Sequence, residues 1–176
     1  MNNQKELISI RDSIITNLDG NKEPINCFEY IGAFNSRECI PKGRQGIYIF
    51  KASESVMLTR EMIVKYNEAM NWDHSLVGAG FKNTFLQQIK TGDVFYVGKV
   101  SGKNKSIYQR LKVHFGGRTE SHTNGIKMDM PERQFIKGKL LVHIFLFDKG
   151  NEQTYIIDAV EKLLHESLHP LTGGKQ

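Results

Sequence analysis

The position of Glu161 in the sequence suggests that its carboxylate could take part in catalysis or metal binding. In the segment from 151 to 168, apolar side chains recur at helical spacing and share one face: Ile156, Ile157, Val160, Leu163, Leu164 and Leu168. Glu161 falls at the edge of that face, where a carboxylate is costly to bury unless a cation or hydrogen-bond donors meet it. The residue is therefore either a metal ligand or a glutamate that reaches water or pairs with an arginine.

Arg110 and His114 form a second candidate pair. They lie four residues apart, so they share a face, next to Ile107, of a helix predicted over about residues 106–115. Arginine offers a planar fork for phosphate oxygens, and histidine can donate to a phosphate or move a proton near neutral pH. Taken alone, the pair fits a solvated helix flank better than a catalytic site.

The basic residues of the chain are concentrated around this pair. The formal net charge is +5, and residues 1–92 carry 11 basic against 10 acidic side chains. Residues 99–139, by contrast, carry ten basic and three acidic side chains, a net of +7. A polyanion is the natural partner of such a segment, because displacing counterions from phosphates favours binding. We expect nucleic-acid contacts from its lysines and arginines: Lys103, Lys105, Lys112, Arg118, Lys127 and Arg133.

Hydrophobic spacing and chain-breaking residues predict the elements that must position these side chains. Helices are predicted over 4–18, 59–72, 81–89, 106–115 and 151–168, strands over 45–50, 93–100 and 139–147, loops with a short extended piece over 24–44, and a long loop over 116–138. This order predicts an α+β fold in which helices flank a small antiparallel or mixed three-stranded sheet. Further helices precede the sheet and separate its first two strands. We expect a single domain over 1–176.

Two tripeptides on the first two predicted strands favour a catalytic role for the candidate residues. Gly46-Ile47-Tyr48 lies on the first strand and Tyr96-Val97-Gly98 on the second. Three candidate residues and a proline follow in a fixed order: Arg110, His114, Glu161 and Pro170. This ordered set resembles the GIY-YIG nuclease family, which is named after the two tripeptides. The resemblance covers residues 45–176 and implies an enzyme that cuts phosphodiester bonds in nucleic acid.

The resemblance implies a role for each candidate residue. Glu161 would bind one divalent metal ion, Mg²⁺ or Mn²⁺, which polarises the scissile phosphate. Arg110 would neutralise the charge that grows on the phosphoryl oxygens. Tyr48 would activate water as a general base, for which nearby cations must favour its phenolate. Lys99 is the candidate cation, and Tyr96 and His114 would orient the water or contact the phosphate.

One glycine agrees with this resemblance, and one glycine-containing segment departs from it. Gly98 would let the backbone approach the substrate closely. Many members of the family have an asparagine shortly after the proline of the closing segment, where this chain has Thr172, Gly173 and Gly174. If that asparagine supports the active site, another group must replace it here, or activity is reduced.

The remaining segments suggest how such an enzyme meets its substrate. Residues 1–44 form an N-terminal extension of the 45–176 core, and a helical insertion over 52–92 separates the two tripeptides. Such additions resemble those by which restriction enzymes of the family recognise DNA or dimerise. We therefore expect a DNA endonuclease, a restriction or phage-defence enzyme, acting on double-stranded DNA. A homodimer is a reasonable expectation, because one active site must act twice to break both strands.

The sequence also carries signals about location. The N-terminal residues lack the positive-then-apolar order of a signal peptide. No apolar run approaches the roughly 20 residues that a membrane helix needs. We therefore expect a cytoplasmic protein that does not bind membranes.

Two other functions compete with the nuclease. The first is a nucleic-acid-binding protein that keeps the fold and does not cleave. The second rests on His165-Glu166-Ser167-Leu168-His169, which matches the H-E-x-x-H pattern of zinc metalloproteases. That pattern fixes only three positions, and both histidines are expected on the polar side of the last helix. Zinc proteolysis is therefore disfavoured.

Overall fold

The computed structural model describes residues 2–36, 40, 42, 44–71, 80–102, 105–116, 125–148 and 154–173. Its elements are, in chain order, α1 (Asn2–Leu18), β1 (Phe28–Phe34), β2 (Gly46–Ala52), β3 (Val56–Met57), α2 (Arg60–Asn71), β4 (Gln88–Ile89), β5 (Val94–Val100), α3 (Ile107–Phe115), β6 (Leu140–Phe147) and α4 (Tyr155–Leu168). A short 3₁₀ helix, Pro131–Ile136, lies between α3 and β6. The predicted α+β class is confirmed. Within these residues, no helix is long and apolar enough to cross a bilayer.

Four antiparallel strands form the main sheet, in the order β1-β6-β2-β5. The prediction of three strands is wrong, because the segment expected to hold loops and a short extended piece adds β1 along the outer edge of β6. The register of β1 shifts between Tyr30 and Gly32, and this irregularity interrupts the alternation of side chains. Hydrophobic periodicity therefore gives only a weak signal for this strand.

The sheet has a hydrophobic core on each face. Because successive side chains of a strand point to opposite faces, β2 contributes Tyr48 and Phe50 to one core and Ile47 and Ile49 to the other. Helix α3 closes the first core, whereas α1 and α4 close the second and contact each other. Every β2 residue except Lys51 is buried, since both faces of the strand are covered.

The insertion between β2 and β5 contains one helix in its described part, where two were predicted. Helix α2 begins where expected, and the Thr59 hydroxyl accepts a hydrogen bond from the Met62 backbone N–H at 3.2 Å. Residues 81–89 were predicted as helical, but they form a turn followed by β4, which pairs antiparallel with β3. The backbone of β3 supplies hydrogen-bond partners that outweigh the weak helix preference of a nine-residue segment. The predicted helix end, Trp72, lies outside the described residues.

The two helices that carry candidate residues have defined ends. Ser106 caps α3 by accepting a hydrogen bond from the Gln109 backbone N–H at 3.2 Å. Helix α4 ends at His169, whose backbone is left-handed with φ 45°. Beyond it, Thr172 is fully buried and donates its hydroxyl to the Phe95 carbonyl at 2.8 Å. Thr172 therefore ties the closing segment to the start of β5.

Candidate active site

Six side chains near the β5 edge of the sheet make up the candidate site. They come from four elements: Tyr48 from β2, Tyr96 and Lys99 from β5, Arg110 and His114 from α3, and Glu161 from α4. The two tyrosines and the two α3 residues form one connected group. Lys99 and Glu161 form a second group, whose carboxylate acts electrostatically on Tyr96. The structure thus brings together all six residues that the sequence singles out as catalytic.

Tyr48 lies at the centre of the connected group and is fully buried. Its hydroxyl oxygen is 3.0 Å from His114 Nε2 and accepts a hydrogen bond from Arg110 Nε at 3.2 Å. Across the strand pair it faces Gly98, where an added Cβ would lie 2.4 Å from the Tyr48 Cζ and hydroxyl oxygen. Gly98 is therefore required to make room for the Tyr48 ring, which is a different reason from the close approach of substrate that its sequence position suggests.

His114 is held behind Tyr48 in one protonation state. Its Nδ1 accepts a hydrogen bond from the Ile126 backbone N–H at 3.0 Å. Burial, and secondly the charge of Arg110, lower the pKa of His114 well below its ordinary value, so the ring is neutral. A neutral ring that accepts at Nδ1 carries its proton on Nε2, and Nε2–H therefore donates to Tyr48. Because His114 is fully buried, it positions Tyr48 and has no direct contact with a phosphate in this arrangement.

The position of the Tyr48 proton follows from these contacts. The oxygen accepts from His114 Nε2–H and Arg110 Nε–H, and these two donors use both lone pairs. Its own proton is therefore directed to Tyr96, its other hydrogen-bonding neighbour. Burial raises the pKa of Tyr48 well above its ordinary value, and Arg110 offsets only part of that effect. The expectation that nearby cations favour a Tyr48 phenolate is therefore wrong.

Tyr96 is the phenol of the pair that reaches the surface. Its side chain lies on the edge strand β5 and remains 8% exposed, whereas Tyr48 is 0% exposed. Burial raises the pKa of Tyr96 as well, while Arg110 and the hydrogen bond from Tyr48 work to lower it and the Glu161 charge works to raise it. The pKa of Tyr96 thus responds both to the positive charge of Arg110 and to the negative charge of Glu161.

Lys99 is paired with two carboxylates. Its Nζ lies 3.0 Å from Asp158 Oδ1 and 3.1 Å from Glu161 Oε2. The other carboxylate oxygen, Glu161 Oε1, is 3.6 Å from His165 Nε2. Burial works to raise the pKa of Glu161, but His165 and Lys99 outweigh it, so this pKa lies below its ordinary value. Glu161 is therefore ionised at neutral pH. Lys99 pairs with Glu161 and stabilises its carboxylate, whereas the sequence suggested that Lys99 stabilises the phenolate of Tyr48.

Glu161 fits the role of a ligand for a hard divalent cation. Its carboxylate is ionised, and its side chain remains 17% exposed, so an ion from solution can reach it. In the part of the chain that the structure describes, no three or more His, Cys, Asp and Glu side chains are grouped to enclose a metal. A cation here would have few protein ligands and would keep several water molecules, as Mg²⁺ commonly does.

An open groove of about 490 Å³ extends from the site along the first turn of α3. Lys99, Lys105, Ser106 and Arg110 line it, so three of these four side chains are cationic. Lys105 is exposed, as is Lys112 on α3. Both lysines are therefore accessible from solution, and their contact with nucleic acid stays a prediction.

The other predicted nucleic-acid contacts have different positions. Arg133 is fully buried, donates to the Ile126 carbonyl, and lies with its guanidinium 4.7 Å from the centre of the Tyr66 ring. The prediction that it contacts nucleic acid is wrong, because no phosphate can reach a fully buried side chain. Lys127 is half-buried, with a left-handed backbone of φ 50°. Lys103 and Arg118 lie outside the described residues.

Two contacts of α4 were not predicted. Asp158 lies one helical turn before Glu161, and that spacing is the signal that would have placed both carboxylates on one face. His165 is only 11% exposed on its side chain and points to Glu161, although it was expected on the polar side of the helix. His169 has left the helix and is exposed. The two histidines of the H-E-x-x-H pattern therefore differ in backbone conformation and surroundings, which gives no support to a zinc protease site.

Comparisons with known proteins identify no relative of this chain. No protein-family model, no curated protein and no solved structure matches the chain. The function is therefore argued from the site itself.

Proposed function

We propose that this protein is a metal-dependent DNA endonuclease of the GIY-YIG type, and within that class a restriction or phage-defence enzyme. One observation supports the proposal above the others. Tyr48, Tyr96, Arg110 and Glu161 come from four separate elements, yet they meet at one edge of the sheet beside a basic groove. Two phenols, a guanidinium and an ionised carboxylate are suited to the hydrolysis of a phosphodiester.

Arg110 is the group that meets the phosphate. It lines the groove, and its Nε is fixed by the Tyr48 hydroxyl, so the guanidinium plane has a defined orientation before substrate arrives. A fixed cation stabilises the negative charge that develops on the phosphoryl oxygens in the transition state. The stabilisation is larger than in water because the site is partly buried.

Tyr96 is the phenol that contacts the attacking water. It is the less deeply buried member of the pair, and the hydrogen bond from Tyr48 favours its deprotonated form. Tyr48 serves as a positioning residue, since both lone pairs of its oxygen are used by His114 and Arg110. Because burial raises the pKa of both phenols, we expect cleavage to become faster as the pH rises above neutral.

Glu161 is the residue that would hold the divalent cation, Mg²⁺ or Mn²⁺. When bound, such an ion polarises the scissile phosphate and stabilises the departing oxygen. Lys99 fixes one carboxylate oxygen of Glu161, and Asp158 shares the charge of that lysine. The second oxygen, Oε1, faces His165 Nε2 at 3.6 Å.

Double-stranded DNA is the proposed substrate, and the charge distribution supports a polyanionic partner of this kind. The groove continues the site past Lys105, so the strand that is cut would extend along the start of α3. Lys112 adds an exposed cation on the same helix. A homodimer would allow two such sites to cut both strands.

Cleavage of a supercoiled plasmid in the presence of Mg²⁺ or Mn²⁺ tests the proposal. We expect wild-type protein to nick and linearise the plasmid, and Glu161→Gln to lose at least about 100-fold in rate while retaining DNA binding. Lys162→Gln is the matched control, because it changes an exposed residue next to Glu161 on the same helix. Cleavage by Glu161→Gln at the wild-type rate would show that the site is assigned wrongly.

A DNA-binding protein without nuclease activity is the second candidate. The complete burial of Tyr48 and the ion pair between Lys99 and Glu161 favour it, because both contacts stabilise the site without substrate. The same experiment separates the two candidates. Binding of the plasmid by wild-type protein, with no nicking in either Mg²⁺ or Mn²⁺ over a range of pH, would establish the second.

A further inference from the structure

Glu161 has a neighbour on its own helix that the proposed chemistry does not use. His165 follows it by four residues, so the two side chains lie one above the other on α4. His165 Nε2 faces Glu161 Oε1 at 3.6 Å, which is longer than an ordinary hydrogen bond of about 2.7–3.2 Å. Both side chains are mostly buried, with 17% of Glu161 and 11% of His165 exposed.

The separation of these two atoms is close to that of neighbouring ligands on one metal ion. A histidine nitrogen and a carboxylate oxygen each bind a transition metal at about 2.0–2.2 Å, which places two adjacent ligand atoms roughly 3.0–3.5 Å apart. The observed 3.6 Å between Nε2 and Oε1 requires a side-chain adjustment of only a few tenths of an ångström, about the scale of ordinary side-chain motion. The pair is therefore nearly preorganised.

The ion pair between Glu161 and Lys99 uses the carboxylate oxygen that does not face His165. Lys99 contacts the opposite oxygen, Glu161 Oε2, at 3.1 Å, and it also contacts Asp158 at 3.0 Å. The lysine charge is thus shared between two carboxylates. A metal bound by Oε1 would leave the contact between Lys99 and Oε2 in place.

We propose that Glu161 and His165 together bind one divalent transition metal ion, so that the site prefers Mn²⁺, Co²⁺, Ni²⁺ or Zn²⁺ to Mg²⁺. An imidazole nitrogen is a poor ligand for Mg²⁺, which favours oxygen, whereas the transition metals accept mixed nitrogen and oxygen ligands. The proposal rests on the proposed nuclease for its biological use, but it concerns binding and is tested without DNA.

Metal titrations on the isolated protein provide the test. We expect wild-type protein to bind Co²⁺ at least tenfold more tightly than Mg²⁺, as followed by calorimetry and by the visible absorption of bound Co²⁺. His165→Gln should weaken Co²⁺ binding at least tenfold and change Mg²⁺ binding less than twofold. His169→Gln is the matched control, because this histidine is exposed and outside the helix, and it should change neither.

A second measurement uses the unaltered chain, so it does not depend on the folding of a variant. Addition of Zn²⁺ should shift the ¹⁵N resonance of His165 Nε2 in a histidine-selective spectrum, with smaller changes at His169. The proposal is overturned if His165→Gln leaves Co²⁺ affinity within twofold, or if it weakens Co²⁺ and Mg²⁺ by the same factor. The second outcome would mean that His165 only orients Glu161.

Plasmid cleavage, measured separately, distinguishes this failure from that of the nuclease. Co²⁺ binding that depends on His165, with an intact plasmid in every metal, would leave the metal site standing and overturn the nuclease. Mg²⁺-dependent cleavage, together with Co²⁺ binding that His165→Gln does not change, would support the nuclease and overturn the metal site.

Discussion

The two tyrosines of the site differ in what surrounds them, and this difference separates their roles. Tyr48 is buried, and its oxygen is the shared acceptor for His114 and Arg110. Tyr96 lies on the edge strand and keeps contact with solvent. Removal of the Tyr48 hydroxyl therefore disturbs the interior, whereas removal of the Tyr96 hydroxyl disturbs the reacting surface.

Single substitutions to phenylalanine test this division. Tyr48→Phe leaves the buried His114 donor and the partly buried Arg110 donor without their acceptor, so we expect the free energy of unfolding to fall by about 1–3 kcal/mol and cleavage to be lost. Tyr96→Phe should change the free energy of unfolding by less than about 1 kcal/mol, but lower the cleavage rate at least about 100-fold. Urea unfolding and plasmid nicking measure the two effects. An equal loss of stability in both variants would contradict the separate roles.

At the scale of elements, a buried arginine joins segments that lie far apart in the chain. Arg133 belongs to the 3₁₀ helix, donates to the Ile126 carbonyl, and lies over the ring of Tyr66 on α2. The 3₁₀ helix and α2 are in contact. Ile126 also donates its backbone N–H to His114, so the segment held by Arg133 supports the candidate site. Arg133 therefore affects the site through the stability of its surroundings.

A comparison of Arg133→Ala with Lys112→Ala tests this interpretation. Arg133→Ala leaves a cavity and an unpaired carbonyl, so we expect a loss of about 2–4 kcal/mol in the free energy of unfolding. Lys112→Ala removes an exposed cation, so we expect a stability change within about 0.5 kcal/mol and weaker DNA binding at low salt. Urea unfolding and fluorescence titration with a DNA duplex measure both variants. Weaker DNA binding by an Arg133→Ala protein of unchanged stability would contradict this interpretation and indicate that Arg133 contacts a phosphate.

At the scale of the whole molecule, one fully buried and one partly buried histidine make the fold sensitive to acid. Burial and the charge of Lys51 lower the pKa of His143 to about 4, while its Nδ1 lies 2.8 Å from the Tyr30 hydroxyl. Burial also lowers the pKa of His114. In the unfolded chain both rings take up a proton near pH 6.5. The stabilisation from the neutral rings is therefore complete above about pH 6.5 and is lost as the pH falls towards 4.

Unfolding at a series of pH values checks this expectation. The free energy of unfolding should fall between pH 6.5 and 4, and His143 can contribute a slope of at most about 1.4 kcal/mol per pH unit, reduced because its ring is partly exposed. His143→Gln should make the slope shallower, without abolishing it, because His114 still titrates. His169→Gln, a change at an exposed histidine, should leave the slope as it is. A slope unchanged by His143→Gln would exclude this histidine as a source of acid sensitivity.

Much of the fold follows from local patterns in the sequence. The α+β class, the start of α2, the extent of α3, and the strands β2, β5 and β6 follow from hydrophobic spacing and chain-breaking residues, since these act within a few positions along the chain. The position of Glu161 at the edge of the apolar face of α4 follows from the helical period alone. The concentration of positive charge over residues 99–139 is likewise fixed by the sequence.

Only the tertiary structure decided the remaining features, because each depends on a partner that is distant in sequence. The strand β1 is defined by its pairing with β6, which begins more than a hundred positions later. The need for glycine at position 98 comes from the ring of Tyr48, and the proton position on His114 comes from the backbone of Ile126. The burial of Arg133 depends on the packing of α2 against the 3₁₀ helix. Charge and periodicity can be read along a chain, whereas burial and hydrogen-bond direction exist only once distant segments are in contact.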